Sequence, residues 1–202
     1  MEELGLFPLG IVLVPTERVP LHIFEPRYRE LIGECLESGS EFGLVFADDE
    51  GIRDVGTRAR VAELLEEFDD GRLNVLVEGG ERFQLVELTS GRSFRTGRVE
   101  RLEDRPDPAG AHDVTLALAA FRALAAIVEA EPDEPDPQSR QFAFELAARI
   151  ELADGAKQRL LELRSERERV RLVAALIEDA GRAIVAQQAL QERSSRNGSR
   201  SP

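Results

Sequence analysis

Side chains able to act as nucleophile, base or metal ligand are scarce in this chain. Lys157 is its only lysine, Cys35 its only cysteine, and His22 and His112 its only histidines. A phosphate-cradling loop needs Gly-Lys-Ser/Thr after its glycines, and Gly155-Ala156-Lys157-Gln158 does not supply it. A Ser–Lys dyad would have to use Lys157, in a surface segment that reads as helix. One cysteine permits no intrachain disulfide and no thiolate-rich zinc layout. Cys35 falls on an apolar helical stripe and is expected to be a buried, inert thiol. His22 has no serine or cysteine that the sequence places beside it, so a hydrogen-bonded structural role is expected. The carboxylate pairs Asp48/Asp49 and Glu66/Glu67 are chain neighbours, and nothing sets two of them across a cleft. No catalytic, cofactor-binding or metal-binding residue is assigned.

Charge excludes more. Residues 1–108 hold 24 acidic against 13 basic groups, a net of −11 within a chain total of −13. Such a surface repels a phosphate backbone, so nucleic acid is not an expected partner. With 42% apolar and 32% charged residues the composition is that of an ordinary globular protein. No apolar run is long enough to span a bilayer, and the acidic start lacks a signal-peptide layout. A cytoplasmic protein without a membrane partner is expected.

The stretch that must position everything else is Leu21–Arg29. Pro26 can open a helix where its missing N–H costs nothing, and Glu25 before it should be extended. Tyr28, Leu31, Ile32 and Cys35 follow helical spacing, and Gly39 can end the helix. Upstream, Leu6–Leu9 and Ile11–Val14 are strand-like runs cut by Gly10 and Pro15. Leu6-Phe7-Pro8-Leu9, Val12-Leu13-Val14-Pro15 and Pro20-Leu21-His22-Ile23-Phe24-Glu25-Pro26-Arg27-Tyr28 together resemble the opening of the Lon protease N-terminal (substrate-binding) domain. Phe42-Gly43, Gly56-Thr57, Asp70-Gly71-Arg72 and Glu78-Gly79-Gly80-Glu81-Arg82-Phe83 continue the resemblance in order.

The resemblance implies an α+β fold. Its first part would be a PUA-like pseudo-barrel of twisted strands with one helix. A C-terminal helical bundle with a long last helix would follow. Val61, Leu64, Leu65 and Phe68 alone fit a helix; the resemblance implies a strand instead. Asp69-Asp70-Gly71 followed by Leu73, Val75 and Val77 is a hairpin signal in its favour. Gly79-Gly80 reads as a bulge or tight reversal. The expected organisation is a barrel over 1–104, a linker over 105–111, a helical part over 112–193 and a disordered tail over 194–202. In the helical part Asp136 and Pro137 should open one helix and Asp154 cap another. Ser165-Glu166-Arg167-Glu168 is a capping box for the last helix, about 40 Å long if it ends at Arg193.

The function implied is a non-catalytic protein-binding module, a stand-alone Lon N-terminal-type domain without the ATPase and protease parts. It would recognise exposed or misfolded segments or serve as a quality-control adaptor. The apolar residues Leu6, Phe7, Leu21, Ile23, Phe24 and Tyr28 could form a peptide groove, but the preferred reading is ordinary core. Leu9, Ile11, Val14 and Val19 are assigned to a peptide groove, either between barrel and bundle or at an open sheet edge. Its acidity would favour apolar segments with basic flanks. Arg27 and Arg82 need carboxylate partners, and Glu25 with Arg82 is expected to lock the helix junction onto Gly79-Gly80. The rival readings are an ATP-independent peptidase, an RNA-binding module, and a homo-oligomer built through the last helix.

Overall fold

A computed structural model describes residues 2–198, with side chains described through residue 191. The barrel strands are β1 (Glu2–Leu9), β2 (Arg18–Ile23), β3 (Phe42–Asp48), β4 (Gly51–Ile52), β5 (Val55–Glu67), β6 (Leu73–Thr89) and β7 (Arg95–Arg101). The strand order β1-β7-β6-β5-β3, with β1 also pairing in parallel to β3, closes the sheet into a ring. Outside the ring β2 pairs with β6, and β4 with β3.

Helix α1 (Pro26–Ser38) forms for the reasons legible in its ends. Pro26 opens it after an extended Glu25, and Gly39 closes it by donating its N–H to the Cys35 carbonyl. It buries Tyr28, Leu31, Ile32 and Cys35. Tyr28 stacks on Phe7 with ring centroids 4.1 Å apart, in a core shared with Ile23, Phe42, Leu73, Val75 and Val77. A smaller cluster inside the ring holds Leu4, Leu6, Val45, Phe83, Leu85 and Val99. Successive residues such as Leu6 and Phe7 thus serve opposite faces of one strand.

The segment with helical spacing is β5, a strand. Its partner β6 is reached through the 68–72 turn, in which Gly71 holds φ +80°. Of the two readings of Gly79-Gly80, the bulge holds and the reversal does not. Both glycines lie inside the continuous strand β6, at a register irregularity opposite Thr57–Ala59. The reason is close approach: a Cβ on Gly79 would run into the Val14 carbonyl oxygen. The turn over 14–17 docks there through the backbone, with Thr16 N–H donating to the Gly79 carbonyl (2.8 Å) and Gly79 N–H to the Glu17 carbonyl (2.9 Å).

The helices are α2 (Ala111–Ile127), α3 (Phe142–Ala147), α4 (Asp154–Glu162) and α5 (Glu166–Gly198). Three local expectations are corrected. The helix expected at Pro137 starts only at Phe142, because Asp136 accepts the Gln138 N–H (2.9 Å) in a turn instead. Asp154 is the first helical residue and not the cap, and its carboxylate accepts the Val12 N–H (2.8 Å). Helix α5 runs past Arg193 to Gly198, about 50 Å. The rest of the expected tail, 199–202, lies outside the described residues. Ser165 does cap α5, accepting the Glu168 N–H at 3.1 Å.

Barrel and bundle share a core. Val12, Val14 and Val55 pack with Leu118, Phe121, Phe144, Leu161, Val173 and Ile177.

Candidate protein-binding surface

Two places gather the residues singled out by the sequence: the outer face around β2, and the junction of barrel and bundle.

At β2 the alternation of the strand decides which side chains are offered. Ile23, paired with Leu73, points into the core, so its neighbours His22 and Phe24 point out. Phe24 is therefore not core: it is 60% exposed, a large apolar ring held in solvent. His22 Nδ1 is 2.7 Å from Asn74 Oδ1, and Asn74 Nδ2 donates to Glu66 Oε2 at 2.9 Å. This chain crosses three strands and fixes the imidazole. Its ring stacks on Phe24 and meets Phe68 edge-on, each at 6.0 Å. Arg72 lies over Phe68, and Arg27, paired with Glu25 at 2.6 Å, lies over Tyr28. Glu63, Glu66, Glu67, Asp69 and Asp70, on β5 and the turn that carries Phe68, are exposed acids.

Among the described residues β2 pairs with β6 alone, so its other edge is open. Pro20 interrupts that edge, because proline has no N–H to offer. Leu21–Ile23 remain as a short edge ending at Phe24.

The groove residues are scattered. Leu9 and Val19 are half-buried against the α1 core, along with Leu21 and Val61. Ile11 is half-buried. Val14 has 0% exposure, so it cannot face a ligand in this conformation.

Where β6 meets the bundle, the junction is closed by buried charged groups. Arg82, whose side chain is 5% exposed, reaches from β6 into the bundle and donates to the carbonyls of Leu161 and Leu163 and to Asp104. Arg169, at 1%, donates to Asp104 and Glu166 and to the Leu163 carbonyl. Phe144 lies under both guanidinium groups, at 5.3 and 4.7 Å. The expected Glu25–Arg82 lock is thus absent: Glu25 pairs with Arg27, while Glu78 and Glu81 pair with other arginines. Burial pushes the Asp104 carboxyl up, but the hydrogen bonds and charge of Arg169 and then Arg82 outweigh it and hold it below the ordinary range. Burial dominates at Glu166 and raises its carboxyl. Phe83 fills the ring interior.

Sequence alone gave no signal for Asp104 or Arg169. Burial also raises the Cys35 thiol, as its place on the α1 stripe implies. Among the described residues no group of carboxylates, histidines and cysteines could hold a metal, and no helix is long and apolar enough to cross a membrane.

A ring of strands carrying one helix and followed by a bundle is also the form of two solved structures. The chain superimposes on a Lon N-terminal domain protein from Xanthomonas campestris with a TM-score of 0.69, at 26% identity over 87% of this chain and 98% of that one. The N-terminal domain of Mycobacterium avium complex Lon protease gives the same TM-score at 15% identity, which speaks for the fold alone. The model of the ATP-dependent protease La (LON) substrate-binding domain matches residues 3–179, and the chain belongs to that family. Lon protease 1 of Hydrogenovibrio crunogenus is 26% identical over 83% of this chain. Lon protease of Anaeromyxobacter dehalogenans is 26% identical over 86%. The chain spans between a fifth and a quarter of the length of these relatives, matching 22% and 23% of them.

Proposed function

We propose that this chain is a non-catalytic module that holds extended, apolar polypeptide segments for a proteolytic or quality-control partner in the cytoplasm. The observation that carries the proposal is the 60% exposure of Phe24 beside an open strand edge. A bound segment would pair with the backbone at Leu21–Ile23 and lay an apolar side chain against Phe24 and His22. Aromatic contacts of this kind give large area at little conformational cost. The acids around the patch favour segments flanked by Lys or Arg, with an affinity that falls as salt screens them.

The test uses a fluorescein-labelled peptide with a Leu/Phe centre and Lys flanks, followed by anisotropy. Phe24→Ser should weaken binding at least fivefold at low salt and leave the melting temperature unchanged. Equal binding by the variant would remove Phe24 from the site.

A further inference from the structure

The linker between β7 and α2 runs along a cleft of about 610 Å³ on the bundle side of the junction. Its apolar lining comes from Pro106, Pro108, Val114, Pro137 and the buried Phe142. The volume lies within the range of ordinary ligand sites and suits two or three side chains of a bound segment.

Counted together with the arginines that hold its carboxylates, the cleft has a charge balance opposite to that of the molecule. Asp104, Asp107 and Glu166 line it, and each is already engaged. Asp104 accepts from Arg82 and Arg169, Asp107 from Ser165 and Arg167, and Glu166 from Arg169 and the Ala143 N–H. Arg82, Arg167 and Arg169 thus match the three carboxylates. Two further arginines line the same cleft, Arg105 and Arg140. Both are exposed, and among the described residues neither side chain has a hydrogen bond or an ion pair. Most arginines described here are ion-paired, as expected in a chain of net charge −13, so two uncompensated ones on one partly apolar cleft stand out.

We infer that this cleft is a second polypeptide subsite, one that takes an acidic segment: apolar side chains against the prolines, Val114 and Phe142, and carboxylates on Arg105 and Arg140. Guanidinium groups suit this because they bind a carboxylate in a two-pronged geometry. A peptide fits better than a nucleic acid strand. The barrel beside the cleft is strongly acidic, no exposed aromatic ring lines it for base stacking, and two positive charges are few for a phosphate backbone. The assignment rests on the module being a polypeptide binder, but it uses residues distinct from the β2 surface.

Two labelled peptides with the same Leu/Phe centre, one flanked by Glu and one by Lys, test it by anisotropy on the full chain. The Glu-flanked peptide should bind, lose at least tenfold in affinity in the double variant R105E/R140E, and weaken severalfold between 50 and 300 mM salt. The milder R105Q/R140Q pair should fall between, which separates loss of charge from loss of fold. Phe24→Ser should leave this binding unchanged while weakening the Lys-flanked peptide, so failure of one site is distinguishable from failure of the other. Unchanged affinity in R105E/R140E would overturn the assignment. So would displacement of the Glu-flanked peptide by an equimolar single-stranded RNA, which would mark a general anion site.

Discussion

Replacing Asp104 by Asn removes one charge and almost no volume, and the structure sets the size of the effect. Among the described residues, Asp104 is the only carboxylate paired with Arg82 and one of two paired with Arg169, whose side chains are 5% and 1% exposed. In the variant, Arg82 keeps the Leu161 and Leu163 carbonyls but no countercharge. Leaving a buried charge unmatched costs about 3–5 kcal/mol. The Asp104 side chain is itself 36% exposed, so the lower end applies, about 3 kcal/mol. With a urea slope of about 2 kcal/mol/M, the unfolding midpoint should fall by roughly 1.5 M at pH 7.

The gap should also depend on pH. The Asp104 carboxyl is depressed in the folded protein, so its contribution is complete above the unfolded value of about 3.9 and is lost as pH falls through the folded value. The gap between wild type and variant should therefore begin to close only below about pH 4, and vanish once the pH is below the depressed folded value. Glu166, raised by burial, works in the opposite sense, but it is common to both proteins and largely cancels in the difference. A midpoint shift under about 0.5 M at pH 7 would refute the claim that this carboxylate holds the two guanidinium groups in the junction.

Gly79→Ala should cost about 3 kcal/mol, since its methyl group meets the Val14 backbone, which cannot yield like a side-chain end. Gly80→Ala, whose Cβ would lie 3.4 Å from the Arg58 carbonyl oxygen, should cost under about 1 kcal/mol; equal melts for the two would contradict the close approach. Thr16 holds φ +70° with a buried hydroxyl that has no hydrogen-bond partner among the described residues. A β-branched residue is strained there, so Thr16→Asn should raise stability by about 1 kcal/mol in the same urea assay, and a loss would show that the threonine methyl packs favourably.

What could be read in the sequence was what neighbours in the chain decide. Helix α1 was legible because Pro26, the Tyr28–Cys35 stripe and Gly39 all lie within fourteen residues. The strand β5 was not legible by period alone. Its glutamates point into solvent at spacings that also suit a helix, and the family resemblance tipped the balance. The true partners of Arg82 are not legible locally, because they lie 22, 79 and 81 positions further on and nothing beside it names them. The glycine pair reads as a bulge or a reversal, since a turn and a close approach both call for glycine. Only the docking of the 14–17 segment distinguishes them. Phe24 could have been found: alternation through Ile23 sets it outward, but the helix beginning two residues later draws the eye to a different period. Pro and Gly around Leu9, Ile11, Val14 and Val19 suggest a surface position, yet Val14 is buried because its loop is held between barrel and bundle.

The closed ring also has a consequence during synthesis. One side of β1 can be covered once β3 emerges some forty residues later, but its other side is completed only by β7. At ribosomal rates of about 5–20 residues per second, that second edge stays open for roughly 5–20 s. Glu2 and Glu3, which end up beside Val99 and Arg98, place two negative charges on the waiting edge and discourage another nascent chain from adding to it.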